Sequence, residues 1–585
     1  MTTVEAPPST AVDPGAPSAT KPGSRRRRRF DTPTAVVVTV VVALLGLMIV
    51  HPLVQIFASA FSAEGATVLT GLFTSPVNRG IVLNTLVLGT LVGALGTGIG
   101  FLLAYVQTRV DVPGKRALHL LALMPIVSPP FAVATAVITL FGRRGIITHG
   151  LFGVEYDLYG LTGLTLVLAL SFFPVAYMNF KGLLEALDPS LDEAAANLGA
   201  SRWRIFWTVT LPMLAPGFAS SFLLLFVEAI ADLANPLVIG GDYTVLASRA
   251  FIAITGEYDV RSGSAYSLAL LVPAVLVFLV QRYWVGKKSV VTVTGKPAGR
   301  PTTVAGGASR ILLGGAAWAI ASLVALIYAT VLVGAFVQIL GVNNTPTLDN
   351  FRYVLSGIGN KSITDTTLLA LIATPLAGLL GMVIAWLVVR KLRHGAAWLD
   401  FLGMLGLAVP GTVVGIGYAI AFNQPLIAGG RMWLPALSGG AALFGGSIAI
   451  VMVYVIRSMP SGQRSGVAAL QQIDPAIDEA SASLGADSIT TFRKVTLPLI
   501  RPALLSGLIY AFARSMTTLS PIIFITTPHT QIMTKQILSE VDAGRFGNAF
   551  AFCTLLILIV TGVMALLNLA LRRRSTPSSG LGGGL

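Results

Sequence analysis

Three ionisable side chains stand in stretches that are otherwise apolar: Glu228 and Asp232, one helical turn apart in the run Leu223-Leu-Leu-Phe-Val-Glu-Ala-Ile-Ala-Asp232, and Arg514 in a later run of the same character. At the centre of a bilayer such a charge costs roughly 2.5–3.5 kcal/mol on insertion scales, so it turns toward a bundle interior and takes a partner. Little else in the chain could do chemistry. The five histidines, His51, His119, His149, His394 and His529, lack ligand spacing. One cysteine, Cys553, excludes an intrachain disulfide and a cysteine-cluster metal site. No Ser/His/Asp set, paired catalytic carboxylates or metal-ligand constellation is readable, so the chain is not read as an enzyme. It also has no Gly-x-x-x-x-Gly-Lys-Ser/Thr phosphate loop, so any ATP chemistry must come from a partner.

The second chemical feature is a repeated polar loop. Asp188-Pro-Ser-Leu-Asp-Glu-Ala-Ala-Ala-Asn-Leu-Gly199 returns as Asp474-Pro-Ala-Ile-Asp-Glu-Ala-Ser-Ala-Ser-Leu-Gly485, 286 residues later, and residues 188–221 match 474–507 at 16 of 34 positions. The chain is therefore a direct tandem duplication. The first copy reads as helix, turn, helix. Asp188 caps a short helix that has Pro189 at its first position, Asp192 and Glu193 place negative charge in its first turns, and Gly199 ends it. A second segment, 201–209, puts Trp203, Phe206 and Trp207 on one face, and Pro212 marks the entry to the next apolar run. The second copy keeps Glu479, Gly485 and Pro498 but has Ile489 and Arg493 in place of the tryptophans. Lipid anchoring would keep the aromatics; a docking shape would keep the carboxylate, glycine and proline. The same offset pairs position 228 with 514, so Glu228 and Arg514 are predicted to face each other between the halves. Such a pair either closes a pathway at rest or only pins the halves together.

The elements that position these groups are membrane spans. The 585 residues are 54% hydrophobic and only 11% charged, where soluble domains carry about 25% charged residues. Apolar runs long enough to cross a bilayer fall near 34–61, 81–107, 117–141, 161–180, 213–234 and 263–281. The same rhythm repeats near 310–340, 363–389, 397–423, 437–456, 499–519 and 546–571. The predicted fold is an all-α integral membrane protein of about 12 helices in two six-helix halves, 34–285 and 310–571. A linker, 286–309, joins them. A disordered basic tail, 1–33, precedes the first half and a basic, Gly-rich tail, 572–585, follows the second. With the N-terminus cytoplasmic, the 40 Lys and Arg divide into 29 in cytoplasmic segments, 10 in external loops and Arg514 alone within a span. The positive-inside rule favours that orientation, which puts both termini and both repeated loops in the cytoplasm. The net charge of +15 then reflects topology and anionic lipid rather than nucleic acid. Asn84-Thr85 and Thr366-Thr367 are expected to hydrogen-bond between helices. The external segment 235–262 could dock a partner or form a re-entrant turn.

The pattern Glu-Ala-Ala, three residues, Gly, nine residues, Val/Ile-x-Leu-Pro resembles the cytoplasmic loop of permease subunits of binding-protein-dependent ABC importers of type I. Glu193, Ala194, Ala195, Gly199, Val209, Leu211 and Pro212 match it, as do Glu479, Ala480, Gly485, Val495, Leu497 and Pro498, with Ser481 a small departure. The resemblance implies that loops 188–212 and 474–498 seat in two partner ATPase subunits, which bind ATP and Mg²⁺ where this chain carries no cofactor. It also implies an extracytoplasmic solute-binding protein and a multi-pass location in the bacterial inner membrane. Gly142-Arg-Arg-Gly-Ile-Ile-Thr148, Tyr159-Gly160 with Ser171-Phe-Phe-Pro174, Ala231-Asp-Leu-Ala-Asn-Pro236 and Val291-Thr-Val-Thr-Gly-Lys296 resemble the fused permeases of ferric-iron importers. Ferric iron is thus the implied solute, with 2-aminoethylphosphonate, thiamine or polyamine the alternatives of the same architecture. An ion-driven secondary transporter is the rival class. Its repeats are commonly inverted, whereas this one is direct and strongest in a loop.

Overall fold

The computed structural model describes residues 32–285, 307–392 and 394–572. The tail up to residue 31, the linker stretch 286–306 and the tail from 573 lie outside the described residues. The first half contains α1 (Thr32–Ala60), α2 (Pro76–Arg109), α3 (Lys115–Val127), α4 (Phe131–Phe141), α5 (Leu161–Ala186) and, in the repeated loop, α6 (Pro189–Asn197). It continues with α7 (Arg202–Ala231), α8 (Ala234–Ile239), α9 (Leu246–Thr255) and α10 (Val260–Tyr283). The second half runs through α11 (Ala308–Ala335), α12 (Gly357–Lys391), α13 (Ala396–Ala408), α14 (Gly411–Ala421), α15 (Ser447–Gln471) and the loop helix α16 (Ala476–Ser483). It ends with α17 (Ser488–Leu499), α18 (Arg501–Thr517), α19 (Met533–Asp542) and α20 (Phe546–Arg572).

Among the described residues nine helices are long and apolar enough to cross a membrane, and up to 12 spans result if each bent pair counts as one. The bends correct two spans expected to be single helices. Residues 117–141 divide at α3/α4 with a 111° bend and 397–423 at α13/α14 with 100°, whereas the span expected at 499–519 is the single helix α18, which meets α17 at a 78° bend. Prolines explain the first two, since Pro129 and Pro410 each push the residue before them out of helical conformation. A further correction concerns the span expected at 437–456: the helix begins at Ser447 and continues to Gln471, which draws Arg457 into the bundle. Two small antiparallel hairpins interrupt the helical pattern, β1 (Val337–Ile339) with β2 (Asn343–Pro346) and β3 (Leu426–Ala428) with β4 (Arg431–Leu434).

In each half three helices form the central trio: α2, α5 and α7 in the first, α12, α15 and α18 in the second. Lipid gives no hydrophobic incentive for helices to associate, so close backbone approach must supply the attraction. Gly89, Gly93, Gly96 and Gly100 form that surface on α2. A Cβ at Gly89 would sit 2.6 Å from Ile230 Cγ2 of α7, and one at Gly100 would sit 2.6 Å from Ala176 Cβ of α5. Gly378 and Gly381 repeat the device on α12, where a Cβ at Gly381 would lie 2.9 Å from Gln463 N.

The halves interlock through their first helices. α1 packs on α14, where Tyr418 Oη donates to Met48 O at 2.7 Å, and α11 packs on α3 and α4 of the first half. There Ser128 Oγ meets Tyr328 Oη at 2.5 Å, and Trp318 Nε1 donates to Pro113 O at 3.3 Å. One buried apolar core consequently runs through both halves, from Leu45 and Ile56 past Phe131 to Tyr454, Phe512 and Phe550.

Asn84, Thr85 and Thr366 do bridge segments: Asn84 Nδ2 donates to Thr244 O at 3.1 Å, Thr85 Oγ1 accepts from Leu246 N and Thr366 Oγ1 from Met533 N, both at 2.8 Å. Thr367 Oγ1 is buried without a hydrogen-bond partner. Segment 235–262 folds into α8 and α9, too short to span.

Replacing Gly100 by Val forces apart α2 and α5 and is expected to lower stability by about 1–3 kcal/mol, read as a reduced melting temperature in detergent. Gly98→Val, with no atom within 4 Å of its Cβ position, should melt like the wild type; equal melting of both variants would remove the glycine stripe from this role.

Candidate coupling loops and a central charged cavity

The repeated loops fold alike. Asp188 Oδ1 accepts from Ser190 N at 3.0 Å with Pro189 following, and Asp474 Oδ1 accepts from Ala476 N at 2.9 Å. Each short helix ends on a glycine in left-handed conformation, φ +80° at Gly199 and +83° at Gly485. The same two closing bonds recur: Gly199 N to Ala196 O and Ala200 N to Ala195 O, then Gly485 N to Ala482 O and Ala486 N to Ser481 O. Any side chain at either position would be strained. The next helix starts on Ser201 in one copy and Asp487 in the other, each capping an amide three residues on. One wide turn follows in each, Phe206–Thr210 and Phe492–Thr496. It lets Pro212 and Pro498 enter the helix without the usual clash with the carbonyl four residues back.

Each loop is fastened to the end of a long membrane helix by an ion pair, buried in the first half and half-buried on the aspartate side in the second. Arg109, the last residue of α2, reaches Asp192 Oδ2 at 2.5 Å, and the two side chains are only 5% and 15% exposed. Arg390, next to last in α12, has Nε 3.3 Å from Asp478 Oδ2, and its Nη2 donates to Leu470 O at 3.0 Å and Ile473 O at 2.6 Å. A guanidinium at a helix C-terminus is also favoured by the helix dipole. Aromatic packing adds to both ties. Phe206 lies 5.7 Å from the Tyr105 ring and Phe492 lies 5.0 Å from the Trp386 ring, centre to centre. With the aspartates turned inward, the outer surface of each loop presents Glu193, Ala194, Leu198 and Gly199, or Glu479, Ala480, Leu484 and Gly485. Leu198 and Leu484 are each 89% exposed. The same bare leucine stands beside a carboxylate and a glycine in both copies. Pro212 and Pro498 are exposed as well, whereas Trp203 and Trp207 stack only on each other and on Phe206.

Sequence reasoning missed Arg109 and Arg390, which it counted only as topology charges. The signal was present in their similar placement in the last turn of corresponding spans, and in Asp192/Asp478 and Phe206/Phe492 being identities of the repeat.

The intramembrane charges converge where α7 and α18 both end, around a cavity of about 70 Å³ lined by Glu228, Asp232, Arg457, Arg514, Thr518 and Ser520 among others. Arg514 Nη2 stands 3.5 Å from Glu228 Oε1. Asp232 Oδ2 accepts from Asn235 N and Nδ2, both at 2.9 Å. Arg457 corrects the expectation that Arg514 is alone within a span. Its Nη1 donates to Gly406 O at 3.1 Å and Val409 O at 2.8 Å, carbonyls freed by the α13/α14 break. That break is what makes a buried guanidinium tolerable at this depth.

Toward the repeated loops lies a larger cavity of about 500 Å³ between the halves, lined by Asn179, Ser220, Gln281, Arg282, Asp400 and Arg464 among others. Arg282 and Asp400 pair across it at 2.6 Å, and Gln463 Nε2 donates to Asp400 Oδ1 at 2.8 Å. The opposite face has a groove of about 580 Å³ beside Arg143, Asp157, Tyr159, Asp242 and Tyr243. There the hydrogen bond from Arg143 at 2.7 Å, assisted by the Tyr159 amide, holds the Asp157 carboxyl below the usual carboxylate range.

Two helical halves, each with a polar loop fastened to a long apolar helix, enclose cavities along their interface, the arrangement of a membrane permease. The family described as "Binding-protein-dependent transport system inner membrane component" matches residues 96–289 and again 377–576, and the chain belongs to it. It is a multi-pass permease of an ABC importer with both halves in one polypeptide. The chain is 35% identical over 547 residues to the "Ferric transport system permease protein FbpB" of Actinobacillus pleuropneumoniae, covering 90% of this chain and 76% of that protein. It is 35% identical over 517 residues to the "Putative ferric transport system permease protein FbpB 1" of Haemophilus influenzae, covering 84% and 78%. The "Molybdenum transport system permease protein ModB" of Escherichia coli K12 is 28% identical over 218 residues, which is 36% of this chain but 93% of that protein. That relative has the length of one half.

Reversing one member of the loop tie breaks a buried pair and sets two like charges together, which costs about 3–5 kcal/mol. Asp192→Arg and Arg109→Asp are each expected to abolish uptake in proteoliposomes. The double reversal should recover a substantial fraction, and absence of any recovery would show that the pair does not fasten the loop.

Proposed function

We propose that the chain is the transmembrane pathway of a ferric-iron importer. A solute-binding protein delivers the cargo on the outer face, and two ABC ATPase subunits power transport from the cytoplasm. The observation that carries the reading is the pair of matching loop surfaces, each fastened by an Arg–Asp pair to the end of a pathway helix. The ferric cargo rests on the ferric transport permeases that share most of the chain's length.

In this reading the N- and C-termini and both loops are cytoplasmic, and the external groove faces the binding protein. The 12 spans form two six-helix halves, joined by the linker near 286–309. Neither catalytic chemistry nor a cofactor is assigned to the chain; ATP and Mg²⁺ act on the partners. When ATP draws the ATPase subunits together, loops 188–212 and 474–498 move with them. Glu193, Ala194, Gly199 and Pro212, with Glu479, Ala480, Gly485 and Pro498, shape the surfaces that follow. Because Asp192 and Asp478 are locked to α2 and α12, loop motion becomes helix motion, and the halves rock about the central cavity. The wide cavity on the loop side then closes while the outer side opens, and hydrolysis resets the pathway.

Losing the exposed carboxylate or the left-handed glycine is expected to weaken docking by about tenfold or more, the loss of one charge-assisted hydrogen bond or an equivalent strain. Glu193→Ala and Gly199→Val should therefore reach the membrane at normal levels yet lose most ATPase stimulation by loaded binding protein. Undiminished stimulation and uptake in both variants would remove the loop from the coupling role.

A further inference from the structure

The central cavity has a polarity that the duplication does not require. At the 286-residue offset, Glu228 corresponds to Arg514, Asp232 to Thr518 and Ser171 to Arg457. Both carboxylates that line the cavity therefore come from the first half and both guanidiniums from the second. The two walls are held together loosely. The Glu228–Arg514 contact is 3.5 Å long, against about 2.7–2.9 Å for a well-made charge-assisted bond. Arg457 is held by backbone and not by a carboxylate: its Nη1 rests on two backbone carbonyls, and its Nε is buried with no hydrogen-bond partner. Thr517, Thr518 and Ser520 add hydroxyls, and the rest of the lining is apolar, with Phe131, Phe172 and Pro521 among it. At about 70 Å³ the cavity holds only a few waters. When the two walls move apart, a passing solute must stand in for the interaction between them.

A bare trivalent cation would suit Glu228 and Asp232 but would meet two guanidiniums on the other side. A simple oxyanion would suit the arginines, whose forked donors match carboxylate and phosphate oxygens, and would meet two carboxylates. A metal ion with an oxyanion bound to it answers both walls at once. Building on the ferric-iron reading, we infer that the central cavity passes a ferric–oxyanion complex as a unit. The metal side of the complex faces Glu228 and Asp232, and its anionic oxygens face Arg457 and Arg514. The anion is defined here by its chemistry, a phosphate or a polycarboxylate, and it crosses with the metal instead of being left outside.

The test uses the complete complex of this chain, its ATPase and its binding protein in proteoliposomes. The binding protein is loaded with ⁵⁵Fe together with either [³²P]orthophosphate or [¹⁴C]citrate. The expected result is ATP-dependent entry of iron and one of the two anions in near-equal amounts, and which anion enters distinguishes the two sources. Entry of ⁵⁵Fe with neither anion would overturn the inference and leave the iron-importer reading standing. Entry of an anion without ⁵⁵Fe would overturn both. In the same assay Arg514→Gln is expected to reduce co-entry of both labels at least tenfold, with Arg514→Lys recovering part of it. Wild-type co-entry in Arg514→Gln would overturn the assignment of the anion to the arginine wall.

Discussion

A carboxylate from each repeated loop sits on an arginine at the end of a long membrane helix, and the rest of the molecule depends on that contact. Arg109–Asp192 is almost fully withdrawn from solvent, and Arg390 also takes two backbone carbonyls beside Asp478. A surface ion pair contributes little, but one with its charges buried is costly to break because the abandoned partner remains desolvated. In the proposed coupling the tie is the joint that carries loop motion to the helix without hinging. It also sets which side chains remain available. Turning Asp192 and Asp478 inward leaves Glu193, Leu198 and Gly199, and their counterparts, on the outside.

Duplication supplies the framework, and departures from it supply the direction. The small-residue stripes on α2 and α12 and the exchange of α1 and α11 between halves are properties of both copies. The halves cannot separate as independent bodies, since each wraps its first helix around the other. Between them, equivalent positions have diverged in charge. Glu228 against Arg514 could be read as one complementary pair, but Arg457 in place of Ser171 and Asp232 in place of Thr518 extend the divergence to a whole wall. A symmetric cavity would present the same charge on both sides; this one has carboxylates on one wall and guanidiniums on the other.

Much of this was legible in the residues. The Asp188 cap, Gly199 as terminator, the loop boundaries and the facing of Glu228 and Arg514 all follow from local rules plus the repeat offset, because caps, left-handed glycines and sequence offsets are short-range or exact-count properties. The breaks at α3/α4 and α13/α14 were not, since composition and length report only that a stretch is apolar, and the prolines that bend it are ordinary in membrane helices. Arg457 was misplaced for a related reason. Its span was bounded by hydropathy, yet the helix continues through the arginine, which is stabilised by carbonyls of a bend 48 and 51 residues earlier in the chain. Arg109 and Arg390 escaped because a basic residue at the end of a span already has a sufficient explanation in topology, and only the fold brings their partners 83 and 88 positions along the chain into reach.

The central claim is that loop and helix move as one body. Spin labels placed at Ala196→Cys with Ala482→Cys report the separation of the two loops, and Ala196→Cys with Gly98→Cys reports a loop against its own helix α2. Pulsed electron resonance on the ATPase-bound complex, with and without a nonhydrolysable ATP analogue, gives both distances. The account predicts that the loop-to-loop distance changes on nucleotide binding while the loop-to-helix distance stays fixed. A loop-to-helix distance that shifts while the loops keep their separation would contradict it.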